Sequence, residues 1–414
     1  VHFPYCLEKC PYCDFVSFKV APRDIDHHGY ADAVCRELQA RAAGRRGPDG
    51  TAWRDEVRIA SVFFGGGTPS LWAPSAIARV LDAIRATLPS DPDLEITAEC
   101  NPTSVGEAQA EGLLEAGVNR FSVGIQALDD DRLRYLGRKH TAREARATLS
   151  ALLHAGARRV SADLIFGLPG QSPDSAVADA RALRDLGLMH LSCYQLTIEP
   201  GTRFGELARR GRLPLAEEGA VAESFQAVSD ALEEAGLRHY EVSNYAERGE
   251  EARHNIGYWR GQEYLGLGCG AYGFMHSTDI ADGAPSAQTD GTPVATRYRN
   301  SPSPDGYVAA TADGWPEARA DGSANEGPPP WQESAEPLDG NTLFRERLML
   351  GLRMAEGVDL VEAARGLGVE PWTRARTDEV ARLIARGRLT RERDTLRIPR
   401  GAWLFADDTA ARLF

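Results

Sequence analysis

Short apolar runs recur through the first 245 residues. Val57–Phe64 (VRIASVFF), Leu94–Cys100 (LEITAEC), Arg120–Gln126 (RFSVGIQ), Arg159–Gly167 (RVSADLIFG) and His190–Ile198 (HLSCYQLTI) are rich in β-branched and aromatic residues, which predicts strands. The Ala/Leu/Arg/Glu-rich stretches between them, such as Ala142–His154 and Pro173–Leu186, predict helices. The opening VHFP adds a first strand and His239–Tyr245 (HYEVSNY) a further one. Strands alternating with helices imply right-handed βαβ units and a parallel sheet. No GxGxxG follows the first strand, so the expected fold is α/β, a full or partial (β/α) barrel rather than a dinucleotide-binding sheet.

In such a barrel the chemistry sits at the C-terminal ends of the strands. The polar residues fall there. A cysteine cluster follows strand one and Gly65–Pro69 (GGGTP) follows strand two. Glu99 and Asn101 end strand three, Gln126 ends strand four, Asp163 lies in strand five before GLPG, and Thr197 and Glu199 close strand six.

Beyond His276 the pattern changes. Ser277–Pro293 and Ala312–Pro337 are rich in Gly, Pro, Ala, Ser and Asp and predict flexible insertions, around a segment at 297–310 that packs on the barrel. From about Asn341 to Phe414 the order is three helices, a short two-stranded element at Leu389–Pro399 (LTRERDTLRIP) and a last helix, which predicts a winged-helix-like domain. The expected organisation is thus 1–276, 277–340 and 341–414.

With 414 residues, 43% of them hydrophobic, the chain can bury a sizeable core. A net charge of −13 and a pI near 5.3 argue against general binding to nucleic acid or anionic membranes. The basic residues of the C-terminal part are spread along its helices, so no nucleic acid is expected there. No apolar run approaches the roughly 18 residues of a membrane span. The chain opens at Val1 inside a predicted strand, so a short preceding segment is expected and targeting signals are not legible. Seven cysteines, an odd number in a long chain, point to a reducing compartment, here the cytoplasm. Cys35, Cys100, Cys193 and Cys269 stand singly and are read as small buried hydrophobes.

The other three sit in CLEKCPYCDF, as Cys6, Cys10 and Cys13. A structural zinc site wants four ligands, and His2 is the one close candidate for the fourth. Three thiolates on one loop can instead hold three irons of a 4Fe–4S cluster and leave the fourth iron open to an outside ligand. FFGGGTPS lacks the Lys-Ser/Thr of a phosphate loop, and its glycines let backbone approach a ligand.

CxxxCxxC after the first barrel strand resembles the radical S-adenosylmethionine (radical SAM) proteins. FFGGGTPS, AECNPTS, NRFSVGIQALDDDRLRYLGRKH, DLIFGLPGQS and LTIEPGT follow in order over most of residues 1–276. Together they resemble the subgroup of oxygen-independent coproporphyrinogen III dehydrogenases and HemW-type haem chaperones. The resemblance implies that Cys6, Cys10 and Cys13 bind the cluster, whose open iron is chelated by SAM. It implies SAM contacts from Tyr12, Gly66, Gly67, Thr68, Glu99, Gln126, Arg138 and Asp163. Taken singly these residues have plain structural readings: Glu99 with Arg138 as a surface ion pair, Asp163 as a strand-end cap, Gln126 as a satisfied core amide.

Two details divide the subgroup. Phe15 stands where the dehydrogenases carry a further cysteine. RHNIGYWRGQEYLGLGCGA (Arg253–Ala271) resembles the HNxxYW element that HemW-type chains associate with haem. His254 is a potential axial ligand, and Tyr258 and Trp259 offer flat faces to a porphyrin; a packed core histidine is the plain alternative. GCGAYG (Gly268–Gly273) departs from the usual GPGAHS, with Tyr272 in place of the histidine. The expectation is a haem chaperone delivering haem to acceptor haem proteins, respiratory enzymes among the candidates, with a homodimer left open. The alternative is coproporphyrinogen III decarboxylation.

Overall fold

Strand β1 (His2–Phe3) is followed by β2 (Tyr5–Cys6) and β3 (Phe18–Lys19), which pair in parallel and pinch together the ends of the cysteine loop. This computed structural model describes residues 1–43, 57–276, 293–313, 315 and 328–414. Helix α1 (His27–Ala43) leads to β4 (Ile59–Gly66), α2 (Pro74–Thr87) to β5 (Ser90–Cys100), and α3 (Glu107–Glu115) to β6 (Arg120–Gln126). Helices α4 (Asp130–Tyr135) and α5 (Ala142–His154) precede β7 (Arg159–Phe166), and α6 (Pro173–Arg184) precedes β8 (His190–Gln195). β1, β4, β5, β6, β7 and β8 are neighbours in that order and all parallel.

Alternation along these strands sorts their side chains onto two faces. Val62, Phe64, Ile96, Ala98, Phe121, Val123, Val160, Ala162 and Leu191 pack outward into one continuous core beneath the helices. The in-phase partners on the inner face include Ser61, Glu95, Thr97, Glu99, Arg120, Ser122, Asp163, His190 and Ser192. The inside of the curved sheet is therefore polar, unlike a filled barrel core.

The chain continues through α7 (Arg203–Arg209) and α8 (Glu218–Glu234). The strand expected over His239–Tyr245 is two, β9 (Arg238–Glu241) and β10 (Asn244–Ala246), joined by a tight turn. β10 runs antiparallel to β8, so the eight-stranded sheet closes no barrel; it ends at β9. Glu241 explains the break. Its carboxylate accepts from the Ser243 amide at 3.1 Å and from the Asn244 side chain, which folds the chain back on itself. Helix α9 (Arg253–Trp259) then packs on β4.

Strand limits shift by a few residues from the sequence reading. β5 starts at Ser90, and β8 ends at Gln195, so Thr197 and Glu199 lie in the following loop. A larger correction concerns the second insertion. β11 (Tyr272–His276), β12 (Ala295–Asn300) and β13 (Gln332–Leu338) form an antiparallel sheet, so the last part of the segment expected to be flexible is a strand. Its middle residues, Glu333–Pro337, are all exposed. Ladder hydrogen bonds to β12 and the buried Trp331 and Leu338 at its ends hold it, and neither leaves a hydrophobic period in the sequence. Residues 277–292, 314 and 316–327 of the expected insertions lie outside the described residues.

Helix α10 (Pro304–Ala312) lies on α1, where buried Glu37 accepts from Tyr307 Oη at 2.7 Å, Asn300 Nδ2 at 2.8 Å, Gly268 N at 2.9 Å and Arg41 Nε at 2.7 Å. Helices α11 (Gly340–Gly351), α12 (Leu360–Ala364) and α13 (Arg374–Ala385) accompany a sheet of β14 (Val358–Asp359), β15 (Thr390–Glu392) and β16 (Thr395–Arg397). The short α14 (Ala406–Ala411) ends the chain. Three helices with a small hairpin match the winged-helix-like order. The segment docks on the β9 edge, with Val242 N donating to Arg353 O at 2.9 Å and Ala355 N to Tyr240 O at 3.0 Å. Among the described residues no helix is long and apolar enough to cross a membrane.

Candidate functional site

The β2–β3 pairing turns residues 6–18 into a closed loop, with Cys13 N donating to Cys10 O at 3.1 Å. Cys6 is buried and Cys10 and Cys13 are half-buried; all are free thiols. Two donors from other elements reach them. Thr68 Oγ1 donates to Cys6 Sγ at 3.3 Å and Arg138 Nη1 to Cys10 Sγ at 3.5 Å. Burial pushes the Cys6 and Cys13 thiols up, so donors aimed at sulfur matter for carrying negative charge there.

His2 does not join the cysteines. Its Nε2 lies 2.8 Å from Val16 O, and burial pushes its pKa down to about 4. Among the described residues no three His, Cys, Asp or Glu side chains converge on one point as a single metal ion requires. A four-iron cluster asks for less convergence, since each thiolate binds a different iron.

Next to the loop two carboxyls face each other across the polar interior. Glu99 Oε2 accepts the Gly66 amide at 3.0 Å, and Asp163 accepts from Ser122 Oγ at 3.1 Å. Burial, then the neighbouring Asp163, pushes Glu99 up to about 7, and burial pushes Asp163 up to about 6. A desolvated acidic pair of this kind favours a ligand bringing positive charge and hydrogen-bond donors.

Arg138 is not paired with Glu99. Its Nη2 donates to Gly124 O at 2.6 Å while Nη1 points at Cys10. Tyr12 stands beside it with its phenol raised by burial. Gln126, far from being a relaxed core amide, has φ of 70° at a bulge between β6 and β7, a left-handed conformation that non-glycine residues adopt where the surroundings impose it.

The glycine run also has a packing reason. A Cβ on Gly66, where φ is 110°, would fall 2.6 Å from His2 Nε2, and one on Gly67 would fall 2.6 Å from Tyr5 O. These residues let β4 close against β1 and the cysteine loop, so their absence of side chains serves packing. Thr68 follows from that close approach.

Helix α9 lies elsewhere, across the N-terminal half of β4 and β5. His254 N donates to Glu95 Oε1 at 3.2 Å, and Nδ1 lies 3.4 Å from Ser61 Oγ. Burial pushes its pKa down to about 3. Tyr258 is exposed, and Trp259 lies under the Arg353 guanidinium, 5.6 Å from it. The structure therefore gathers Cys6, Cys10, Cys13, Tyr12, Gly66, Gly67, Thr68, Glu99, Gln126, Arg138 and Asp163 around one rim, with His254 beneath it on Phe63 and Tyr258 and Trp259 farther along α9.

Residues 1–183 match the Radical SAM superfamily and residues 338–405 the HemN C-terminal domain. The haem chaperone HemW of Escherichia coli is 39% identical over 273 residues, 66% of this chain and 68% of that protein. HemW of Haemophilus influenzae is 37% identical over 311 residues, 74% of each. The chain belongs to the radical SAM superfamily and, within it, to the HemW family.

Other relatives widen that picture. A zebrafish mitochondrial protein named for its radical S-adenosyl methionine domain is 39% identical over 273 residues, 66% of this chain and 59% of its own length. The structure of E. coli HemN, described as coproporphyrinogen III oxidase and a radical SAM enzyme, superposes with a TM-score of 0.73 over 100% of this chain and 88% of that one. At 18% identity it speaks to the fold alone.

Radical SAM membership carries a 4Fe–4S cluster and SAM as cofactors. The residues present suit both: three free thiols with donors aimed at two of them, and a buried acidic pair beside them for a ligand with ammonium, sulfonium and ribose hydroxyl groups. Sequence reasoning missed Ser122 and Ser192, which hold Asp163 from the two flanking strands. The signal was available as in-phase serines in RFSVGIQ and HLSCYQ.

Proposed function

We propose that this chain is a haem chaperone that uses a 4Fe–4S cluster and SAM and passes haem to acceptor haem proteins. The observation that carries this is the identity of 39% and 37% to two proteins named as haem chaperones, each matched over more than two thirds of its length. Phe15 in place of a further cysteine points the same way.

Cys6, Cys10 and Cys13 would hold the cluster. Tyr12, Gly66, Gly67, Thr68, Glu99, Gln126, Arg138 and Asp163 would hold SAM, with Glu99 and Asp163 taking its positive charge. When reduced, a cluster of this type supplies an electron that can cleave SAM to a 5′-deoxyadenosyl radical. His254 would ligate haem iron, for which its neutral imidazole is the competent form, with Tyr258 and Trp259 beside the porphyrin. Residues 341–414 would act as a lid or partner domain. The acceptors would include respiratory enzymes, and the compartment would be the cytoplasm.

The test is an anaerobic haem titration of the cluster-loaded protein, followed at the Soret band, beside its His254→Ala variant. Saturation near one haem per chain supports the chaperone. No saturable binding in protein with intact cluster and SAM affinity overturns it, and coproporphyrinogen decarboxylation, read by product chromatography, then takes its place.

A further inference from the structure

On the N-terminal face of the sheet, opposite the cysteine loop, an open cavity of about 880 Å³ runs along the entries to β5, β6, β7 and β8. Four adjacent strands span three interstrand spacings, about 14 Å, a breadth that suits a large flat molecule. Much of the lining is apolar, with Leu88, Pro92, Leu94, Leu114 and Met189 along it.

Its acidic residues are each engaged by an arginine. Asp91 is engaged by Arg58 Nε at 3.2 Å, Asp93 by Arg253, and Glu250 by Arg159 Nε at 2.9 Å. Arg159 also meets buried Glu95 at 3.2 Å. Two lining cations are left. Arg158, in the turn before β7, has no carboxylate partner among the described residues, and Arg85 on α2 has only the exposed Asp82 at 3.9 Å. They come from the α5–β7 connection and from α2, flanking the α3–β6 connection that lies between them. The cavity thus offers a partly apolar trough flanked by two exposed guanidiniums, that of Arg158 without a carboxylate partner among the described residues.

We propose that this trough holds the porphyrin, its apolar ring on the floor and its two propionates on Arg85 and Arg158. Guanidinium–carboxylate pairs are the strong, oriented kind of charge-assisted contact. The proposal rests on the haem-carrier reading above and adds the place where the carboxylates are read. Arg253, which holds Asp93 at the rim, ties the trough to α9, so the porphyrin would lie beside the helix that carries His254.

Metal-free protoporphyrin IX separates carboxylate recognition from iron ligation. Both it and ferric haem are titrated into the full-length, cluster-loaded wild type, the Arg85→Glu/Arg158→Glu double variant and the His254→Ala variant, with iron content and SAM affinity measured on each. The expected result is a Kd at least tenfold higher in the double variant for both porphyrins, with iron content and SAM affinity unchanged, and no loss of protoporphyrin binding in His254→Ala. A double variant within twofold of wild type for both porphyrins overturns the trough while leaving the chaperone standing. A wild type that binds neither porphyrin overturns both.

Discussion

The imidazole of His254 lies flat on the ring of Phe63, 4.4 Å between centroids and 11° between planes. Phe63 in turn sits against Gly65, where a Cβ would meet its Cε1 at 2.7 Å and Glu99 Oε2 at 3.1 Å. The histidine that the haem reading singles out therefore also supports the floor beneath the acidic pair. An aromatic contact of this kind contributes about 0.5–1.5 kcal/mol. His254→Ala should raise the Kd for SAM several-fold by freeing Phe63. Arg260→Ala, just past α9 and paired with Glu356, should leave it unchanged. Isothermal titration of both variants with SAM decides this, and an unchanged affinity in His254→Ala would show that the stack does not reach the pocket.

SAM affinity should rise with pH. Glu99 and Asp163 stand at about 7 and about 6 in the free protein, both raised, so below pH 6 the pair is largely protonated. A cationic ligand favours the ionised pair, and binding then releases protons. The Kd should fall by about tenfold between pH 5.5 and 8, the scale of one proton's linkage over a unit of pKa. Asp163→Asn should weaken binding and flatten the profile. A flat wild-type profile would place the positive end of the ligand elsewhere.

Cluster assembly should depend on three of the seven cysteines. Cys6→Ala, Cys10→Ala and Cys13→Ala should each lose most of the iron and acid-labile sulfide that the wild type holds. Cys35→Ala, Cys100→Ala and Cys193→Ala should keep it, because those thiols are buried as small hydrophobes. Thr68→Val removes the donor to Cys6 Sγ and should lower the reduction potential with iron content intact, since hydrogen bonds to sulfur favour the reduced cluster. Anaerobic iron and sulfide assays with a dye-linked potential measurement cover all seven variants.

Part of the rim was legible in the sequence because Glu99, Gln126 and Asp163 lie in or at the end of strands whose apolar period is clear. Glu99, Gln126 and Asp163 could be placed by counting. What failed did so for local reasons. HYEVSNY carries enough β-formers for one strand, and only the Glu241 contacts with Ser243 and Asn244 reveal the fold-back. Strand β13 shows no alternation because five consecutive residues are exposed and its ladder does the holding. The packing role of the GGGTP glycines was not legible either, because the His2 and Tyr5 atoms that a Cβ would meet come from a distant part of the chain. Arg85 and Arg158 lie 73 positions apart, with nothing in either stretch to mark them as one site.

Glu37 ties α1 to the second sheet, and its loss should separate them. The carboxylate is fully buried and collects four donors from α1, α10, β12 and the Gly268 turn. Arg41 also donates to Asn300 Oδ1 at 2.9 Å and lies 3.8 Å from the Tyr298 ring centre, so removing Glu37 leaves a buried cation without its carboxylate and Tyr307 Oη and Gly268 N without their acceptor. Breaking one side of a buried pair costs about 3–5 kcal/mol. Glu37→Ala should therefore lose about that much in denaturant unfolding, and Glu37→Gln, which keeps the shape and one acceptor, should lose less. Hydrogen exchange should show where the loss falls, with protection reduced at Tyr272–His276 and Ala295–Asn300 while β5 to β7 keep theirs. Equal loss of protection across both sheets would mean that the second sheet and the partial barrel unfold as one unit, and that Glu37 stabilises the whole rather than the junction.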